Sequence, residues 1–414
     1  MKTAKPFYGW YALSGAMLVT FFVGGAYINS FGVFLPVICD KLGWSRAEVS
    51  LALSLVVMAF GLPSLLFSFL INRYGARFVT ILGNLLAAAG MALLFFVQEI
   101  WHLYLLYIFI GAAAGLGGYI ASTTIANNWF VKKRSLAMSM VTASAGIGGL
   151  AYPPLVTALI KAIGWRGSWL VLAGIVIVPV LIAGIFLIRN KPEDMGQVPD
   201  GIASDIDLDI EKPILNSSAA PAAWRIMDVL KQPTTFLILG FVIANALATG
   251  TMNAHQIAYL QDIGFTPMTA ATTMSVMAVF SLIGSLGFGT LALKINIRYL
   301  ASASLLSELI AIIILLTTRN ETLLYGYAAF MGIGTGALFA AMPTFVGAYF
   351  PRERFAQVSG LVLPFHVVAM AVAASAVGAI HDITGKYTLA FFILAACVVV
   401  GMVCALFARP PKQI

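Results

Sequence analysis

Charged side chains are scarce in this sequence. Of its 414 residues, 24 are Lys or Arg and 16 are Asp or Glu, which is 10% of the chain. In a soluble globular domain about a quarter of the residues are charged. The three cysteines are also too few to build a disulfide framework. The composition therefore excludes a soluble enzyme and a disordered chain.

Motifs for catalysis and cofactor binding are missing as well. The sequence has no His-Glu-x-x-His motif, no paired carboxylates, no Cys/His cluster and no ATP-binding motif. Its basic residues are scattered in pairs and triplets, whereas a nucleic-acid-binding surface gathers them on one face. We therefore predict no enzyme activity, no metal ion, no cofactor and no nucleic-acid partner.

What the chain has in abundance is long apolar segments. Hydrophobic residues make up 61% of it, and the mean hydropathy is +0.96. Runs long enough to cross a bilayer, about 20 residues each, lie near 8–38, 49–71, 78–97, 103–128, 135–160, 168–188, 234–260, 268–293, 299–317, 322–349, 355–380 and 387–408. Only helices satisfy the backbone of such continuous runs in lipid. We predict an all-α integral membrane protein with twelve transmembrane helices.

The basic residues also set the orientation. With a cytoplasmic N-terminus, 18 of the 24 Lys and Arg residues fall on the cytoplasmic side, which is the side they favour. Both termini are then cytoplasmic, and the membrane is a cell (inner) membrane. This distribution leaves no cation within a span. Among the acids only Glu308 lies deep in an apolar run, and the serines just before it favour a structural carboxyl.

A polar stretch at 189–233 divides the chain into two similar halves, 1–188 and 234–414. Between Glu193 and Glu211 this linker carries seven acids and no base, which is typical of a solvated segment. At an offset near 221, the residues Leu42–Ser45 match Ile263–Thr266. A six-plus-six repeat predicts two six-helix bundles that rock around a midplane site, as in secondary transporters. A duplicated membrane scaffold without transport is the alternative.

The loop after the second run resembles a known family. It reads Ser68-Phe-Leu-Ile-Asn72-Arg73-Tyr-Gly75-Ala-Arg77, which is similar to the G-x-x-x-D-[RK]-x-G-x-[RK] loop of the major facilitator superfamily. Ser68 and Asn72 depart from that pattern. The resemblance implies the major facilitator fold and a cytoplasmic latch in this loop. The repeat adds the matching basic residues of the second half, so the candidate gating residues are Asn72, Arg73, Gly75, Arg77, Lys294 and Arg298.

A narrower resemblance concerns the first half. Trp129–Ala137, continuing to Ala145–Gly149, looks like the signature of the monocarboxylate-porter-like branch, and so do Tyr8–Trp10 and Ser30–Phe34. The branch includes monocarboxylate and oxalate–formate carriers. It implies alternating-access transport of a monocarboxylate or another small organic anion, with or without a proton.

Three charges that members of this branch carry are missing here. The positions of the family's Arg and Asp in the eighth helix hold Ser285 and Ser281, and the position of the Lys in the first helix holds Asn29. The usual anchor for an anion is therefore absent. Two alternatives stay open: a carrier of a neutral or amphiphilic solute, and a receptor or scaffold of the same fold that does not transport.

The candidate substrate-binding residues are polar side chains within the predicted spans. Such residues face the bundle interior or a cavity by default. In the superfamily the first, fourth, seventh and tenth helices line the cavity, and two histidines are the only side chains within the spans that can supply positive charge. The candidates are Asn29, Tyr119, His255, Ser285 and His366.

Overall fold

The computed structural model describes residues 6–200 and 226–410. In these residues ten helices are long and apolar enough to cross a membrane, and a pair bent by 45° adds an eleventh. One helix of 54 residues, Arg134–Leu187, is interrupted at Gly164, whose φ of 76° is not helical. Divided there, it supplies two spans. The predicted all-α fold with twelve membrane helices is confirmed.

The helices follow one another with short connections. Their bounds are α1 Gly9–Leu42, α2 Arg46–Gly61 with Ser64–Tyr74, α3 Ala76–Phe96, α4 Ile100–Trp129, α5 134–163, α6 165–187, α7 Pro233–Asp262, α8 Pro267–Leu291, α9 Ile297–Thr317, α10 Glu321–Tyr349, α11 Phe355–Thr384 and α12 Thr388–Phe407.

The turns before α2 and α8 show the repeat at atomic detail. Ser45 and Thr266 are the N-caps, and both have φ −68° and ψ 152°. Each hydroxyl accepts a bond from a backbone N–H three residues later, at Glu48 (3.2 Å) and Thr269 (3.1 Å). The Glu48 carboxylate in turn accepts a bond from the Ser45 N–H at 2.8 Å, which completes a capping box. The matched sequence positions therefore adopt the same backbone.

The described residues fall into two compact units. The first unit contains the chain up to Gln232 together with Phe350–Gly360, and the second contains Pro233–Tyr349 and the chain from Leu361 onward. Both are packed through close helix backbones. A Cβ added at Gly111 in the first unit would lie 2.4 Å from the Val56 carbonyl oxygen, and one at Gly336 in the second 1.8 Å from that of Ser281. Small residues allow such approaches in membrane bundles.

The linker is described only in part. Residues 201–225, which include most of the acidic stretch, lie outside the described residues. The division of the chain at 188 and 233 therefore stays a prediction. Residues 189–200 are described, and they are folded against the first unit through backbone and side-chain hydrogen bonds.

Candidate functional site

The first helix is not a regular α-helix along its whole length. Between Val23 and Asn29 it widens into a π-helix, in which Ser30 N–H donates to the Gly25 carbonyl five residues earlier (3.1 Å). Hydropathy predicts one uninterrupted span here, and it cannot report such a change of winding. Single π-helical turns are frequent at functional sites. This turn is therefore a candidate binding site.

Side chains at the end of the π-helical turn donate to backbone carbonyls at its start. Asn29 Nδ2 donates to the Gly24 carbonyl at 2.6 Å, and Ser30 Oγ donates to the Gly25 carbonyl at 2.9 Å. The predicted site residue Asn29 thus holds its own helix in shape. Its side chain remains exposed and lies beside Gly149 of α5. A substrate contact at Asn29 stays a prediction.

Helix α5 packs directly on this turn. A Cβ at Gly148 would lie 2.1 Å from the Phe21 carbonyl oxygen, and one at Gly24 would lie 2.6 Å from that of Ala145. The ring of Tyr152 fills the space that a side chain at Gly25 would take, because a Cβ there would come within 2.2 Å of its Cδ2 atom. Glycines on both helices therefore bring Tyr152 against the π-helical turn.

Two phenol hydroxyls at this contact have no partner. Tyr27 on the turn is 3% exposed and Tyr152 is 2% exposed, and in the described part of the chain neither hydroxyl makes a hydrogen bond. The two phenols are close enough to interact electrostatically. An unpaired buried donor costs about 1–3 kcal/mol. The pair therefore marks a place where a ligand with acceptor oxygens would be stabilised.

Sequence reasoning missed both tyrosines. Tyr27 lies between Ala26 and Ile28, and Tyr152 follows Ala151. Because these neighbours are apolar, the sequence predicts packing residues at both positions. The available signal was the pair of adjacent glycines on each run, 24–25 and 148–149, which allows two helices to approach and to change winding.

Tyr119 begins the second half of α4. The helix breaks at Gly118, whose φ of −97° and ψ of −113° lie outside the helical region. The Tyr119 carbonyl accepts a bond from the Thr123 hydroxyl at 2.8 Å, and the tyrosine side chain is half-buried. The break places an aromatic side chain at a helix start inside the span. Its predicted substrate contact remains a prediction.

In the second unit, His366 is the buried histidine. It is 5% exposed, interacts with the backbone of Val242 on α7, and lies edge-on to Phe339 of α10 with the ring centroids 5.8 Å apart. Its Nδ1 atom has no hydrogen-bond partner in the described residues. Ser285 on α8, the position of the missing family Arg, is 3% exposed. His366 thus keeps one ring nitrogen available.

His255 lies elsewhere in the second unit, toward the end of α7. Its Nε2 lies 2.8 Å from the Ala374 carbonyl oxygen, and its Nδ1 is 3.4 Å from the Tyr387 hydroxyl. Both ring nitrogens are therefore engaged. In the described residues His255 and His366 share no hydrogen bond or ring contact, so the structure does not bring the two predicted histidines together.

The loop between α2 and α3 places the predicted gating residues of the first half. Gly75 has a φ of 84°, and the Asn190 side chain occupies the space beside it. The Arg77 guanidinium donates to the Gly184 carbonyl through Nε and to the Ile185 carbonyl through Nη2, both at 2.8 Å. Arg77 thus holds the last carbonyls of α6. Arg73 is exposed and lies over the Tyr74 ring at 5.4 Å, and Asn72 is also exposed.

The matching loop between α8 and α9 is built differently. Lys294 is exposed, and the Arg298 guanidinium lies over the Tyr299 ring at 5.1 Å. Asn296 caps α9 by accepting from the Arg298 N–H at 3.2 Å. The sequence repeat is therefore clear in the charges and weaker in the contacts they make. The gating role of both loops stays a prediction.

Residues 189–200, which we call the strap, tie together the chain before α1, the start of α3 and the chain before α5 in the first unit. The Asn190 Oδ1 atom accepts from the Arg77 N–H at 2.8 Å, and the Gln197 amide accepts from the Tyr8 N–H at 2.9 Å. The Asp200 carboxylate accepts from three consecutive backbone N–H groups, at Val131, Lys132 and Lys133, just before α5 begins. The Asp200 carboxylate thus caps the backbone N–H groups just before α5.

Arg352 reaches the same strap. Its guanidinium pairs with the Glu193 carboxylate at 2.9 Å and donates to the Asn128 carbonyl at the end of α4. The residue belongs to Phe350–Gly360, which groups with the first unit. None of these contacts could be read from the sequence, where Glu193 stands among acids of a solvated stretch.

No metal site is present in the described ranges, where no three His, Cys, Asp or Glu side chains come close enough to hold an ion.

A family profile and several known proteins match this chain in sequence. The profile described as Major Facilitator Superfamily matches residues 16–318 and 237–414. Monocarboxylate transporter 13 of Rattus norvegicus is 28% identical over 95% of this chain and 87% of its own length. Monocarboxylate transporter 7 of Homo sapiens is 24% identical over 98% of this chain and 87% of its own. These relatives are transporters and not enzymes.

A solved structure matches the fold along nearly the whole chain. The crystal structure of the E. coli fucose:proton symporter superposes with a TM-score of 0.71 at 16% identity, covering 96% of this chain and 99% of the symporter. At that identity the likeness concerns the fold alone.

Proposed function

Since this chain belongs to the major facilitator superfamily, we propose that it moves a small organic anion, a monocarboxylate in the simplest case, together with a proton by alternating access. The chain crosses the membrane many times. We place it in the inner membrane with both termini in the cytoplasm, as its basic residues predict. The names of its relatives, which are monocarboxylate transporters, support the substrate class.

The observation that carries this proposal is the pair of unpartnered hydroxyls on Tyr27 and Tyr152. A carboxylate offers about four acceptor sites on two oxygens, so it can accept from both phenols at once. Hydrogen bonds from neutral donors to an ionised acceptor are roughly twice as strong as bonds between neutral groups. Two such donors give an anion a binding place although no Lys or Arg lies at the centre of a span.

The geometry also keeps these donors in place. The ring of Tyr152 is wedged against Gly25, and Phe21 and Phe22 lie edge-on to it at 5.7 and 6.2 Å. Tyr27 is held by the π-helical turn, whose shape Asn29 and Ser30 maintain. Donors fixed in this way lose little side-chain freedom when a ligand binds.

Uptake into proteoliposomes tests the proposal. The purified protein should exchange labelled lactate or oxalate, and Tyr27→Phe and Tyr152→Phe should each weaken the apparent affinity by about 10- to 100-fold, the worth of one hydrogen bond to a charged group. Tyr104→Phe is the matched control, because the Tyr104 hydroxyl bonds to the Glu48 carbonyl at an exposed position. It should bind substrate like the parent.

Two other results would replace the proposal. Uptake of a neutral sugar but of neither acid would show a carrier for neutral solutes, which the missing fixed cation favours. Absence of exchange with every solute, in protein that remains folded, would favour a receptor or scaffold of the same fold.

A further inference from the structure

Glu308 lies in the middle of α9 and is completely buried, with an exposure of 0%. The serines before it in the helix suggest a carboxyl that bonds to its own helix. The structure shows different partners. Asn245 Nδ2, on α7, donates to Glu308 Oε1, and the Thr249 hydroxyl one turn further along α7 donates to Asn245 Oδ1 at 3.2 Å. The carboxyl is therefore bonded to α7 and not to α9.

The second oxygen of this carboxyl is unsatisfied. In the described residues Glu308 Oε2 has no hydrogen-bond partner within bonding geometry, although the Thr335 side chain on α10 approaches the same group. Gly334 makes the space, because a Cβ there would lie 2.5 Å from Glu308 Cγ. A carboxyl that only joins helices would use both oxygens. This one holds α7 through Oε1 and leaves Oε2 for a proton.

Within residues 6–200 and 226–410 no charged side chain forms an ion pair with Glu308. On α9 the nearest cation is Arg298, ten residues earlier and about 15 Å away along the helix. On α7, His255 and Asp262 stand ten or more residues beyond Asn245, also about 15 Å or more. On α10 the charged residue is Glu321, and α12, which packs on α9, has no Asp, Glu, Lys, Arg or His between Thr388 and Phe407. The titratable groups left on α7, α9, α10 and α12 are tyrosines and the cysteines Cys397 and Cys404.

An ionised carboxylate in this setting would be buried with one amide donor and no counter-ion, which is costly enough to favour the neutral form. We propose that Glu308 is the proton-binding site through which transport is coupled to the proton gradient. The inference rests on the proposed transport function and names the residue that carries its proton.

The proposed step is the protonation and deprotonation of Glu308 Oε2. An O–H bond forms at Oε2 as an O–H bond of a hydronium ion on one side of the membrane breaks and leaves water. The bond at Oε2 then breaks when a water molecule on the other side takes the proton and becomes hydronium. No electron pair moves beyond the carboxyl group. Asn245 stays neutral throughout, and its amide stabilises the carboxylate while Oε2 is empty. The contact with α7 ties the protonation of Glu308 to a helix that lines the cavity in this superfamily.

The test is Glu308→Gln in proteoliposomes, because glutamine has the shape of the protonated acid and cannot release a proton. Exchange of labelled carboxylate at equal pH should stay within about two-fold of the parent. Uptake against a gradient, driven by an imposed pH difference, should be lost, so that the inside concentration no longer exceeds the outside one. Ser307→Ala is the matched control on α9, since it removes a bond to the Phe330 carbonyl and keeps the acid.

Accumulation by Glu308→Gln at the level of the parent would overturn the proposal and leave Glu308 a structural carboxyl. A parent protein that exchanges no carboxylate would contradict the proposed function instead. If Glu308→Gln does not fold, carbodiimide labelling of the parent protein tests the proposal instead. Dicyclohexylcarbodiimide, an apolar reagent that modifies protonated carboxyls, should label Glu308 more slowly as pH rises, and a peptide that stays unlabelled at every pH would refute the site.

Discussion

Removal of the Asp200 carboxylate should open the start of α5. In the structure this carboxylate accepts from the N–H groups of Val131, Lys132 (3.0 Å) and Lys133 (2.9 Å). Helix caps of this kind are worth about 0.5–2 kcal/mol, and bonds to charged groups about 1.5–3 kcal/mol. Because the three amides face water once they are released, they avoid most of the desolvation penalty. We expect Asp200→Ala to cost about 2 kcal/mol locally.

Hydrogen exchange measures that loss directly. A local cost of about 2 kcal/mol raises the open fraction roughly 30-fold, so the amides at 131–133 should exchange about 30 times faster in a peptide that covers the end of α4 and the start of α5. Asp200→Asn keeps an acceptor oxygen but no charge, and it should give a smaller increase of about 5-fold. Exchange in the middle of α5 should not change.

Asp194→Ala supplies the control, because Asp194 belongs to the same strap and its exposed side chain makes no hydrogen bond in the described residues. Equal exchange rates at 131–133 in the parent and in Asp200→Ala would refute the view that the strap holds α5 through this carboxylate. An equal effect of Asp194→Ala would show that the net charge of the strap matters and not the three bonds.

Three further results are expected. Arg77→Ala frees the Gly184 and Ile185 carbonyls. It should slow uptake several-fold and leave KM within about two-fold, whereas replacing the exposed Arg73 should slow uptake less. A large rise in KM at unchanged turnover would contradict the gating role. Orientation can be tested in a variant in which all three cysteines are replaced by Ser. There Met195→Cys in the strap should react with an impermeant maleimide only in inverted vesicles. Labelling in right-side-out vesicles would contradict the predicted orientation. His366→Gln should lower the apparent affinity for substrate in exchange more than His255→Gln does, because in the described residues only the His366 ring of the two keeps a nitrogen without a partner. Equal affinities of the two variants and the parent would remove His366 from the candidate site.

The sequence predicts most of the fold because the bilayer leaves few choices. An apolar run must be a helix in lipid, so hydropathy alone locates the spans. The turns are also predictable where local chemistry decides them. Ser45 with Glu48 forms the expected capping box. Gly164 and Gly385, which the repeat aligns, both adopt a positive φ, at 76° and 68°.

The candidate site is less predictable because its shape depends on contacts between distant segments. The π-helical turn at Val23–Asn29 needs α5 beside it, and nothing in the local sequence of α1 requires it. The strap is missed for a similar reason, since its acids predict a solvated segment and the backbone N–H groups that donate to Asp200 are far along the chain. Glu308 was found from sequence, but its bond to Asn245 was not.

The missing cations and the buried acid point to the same kind of transport. A carrier that moves an anion alone works against the membrane potential, and one elementary charge costs about 2.3 kcal/mol per 100 mV. Families with a fixed Lys or Arg in their spans can hold the anion with it, but the basic residues of this chain fall outside the span centres. Two neutral donors, Tyr27 and Tyr152, can bind the anion without changing its charge. With the anion bound and Glu308 protonated, the protein carries the same net charge as the empty protein with Glu308 ionised. Uptake should therefore depend on the pH difference and not on an imposed potential, and a current that accompanies uptake in proteoliposomes would contradict the one-proton, one-carboxylate pairing.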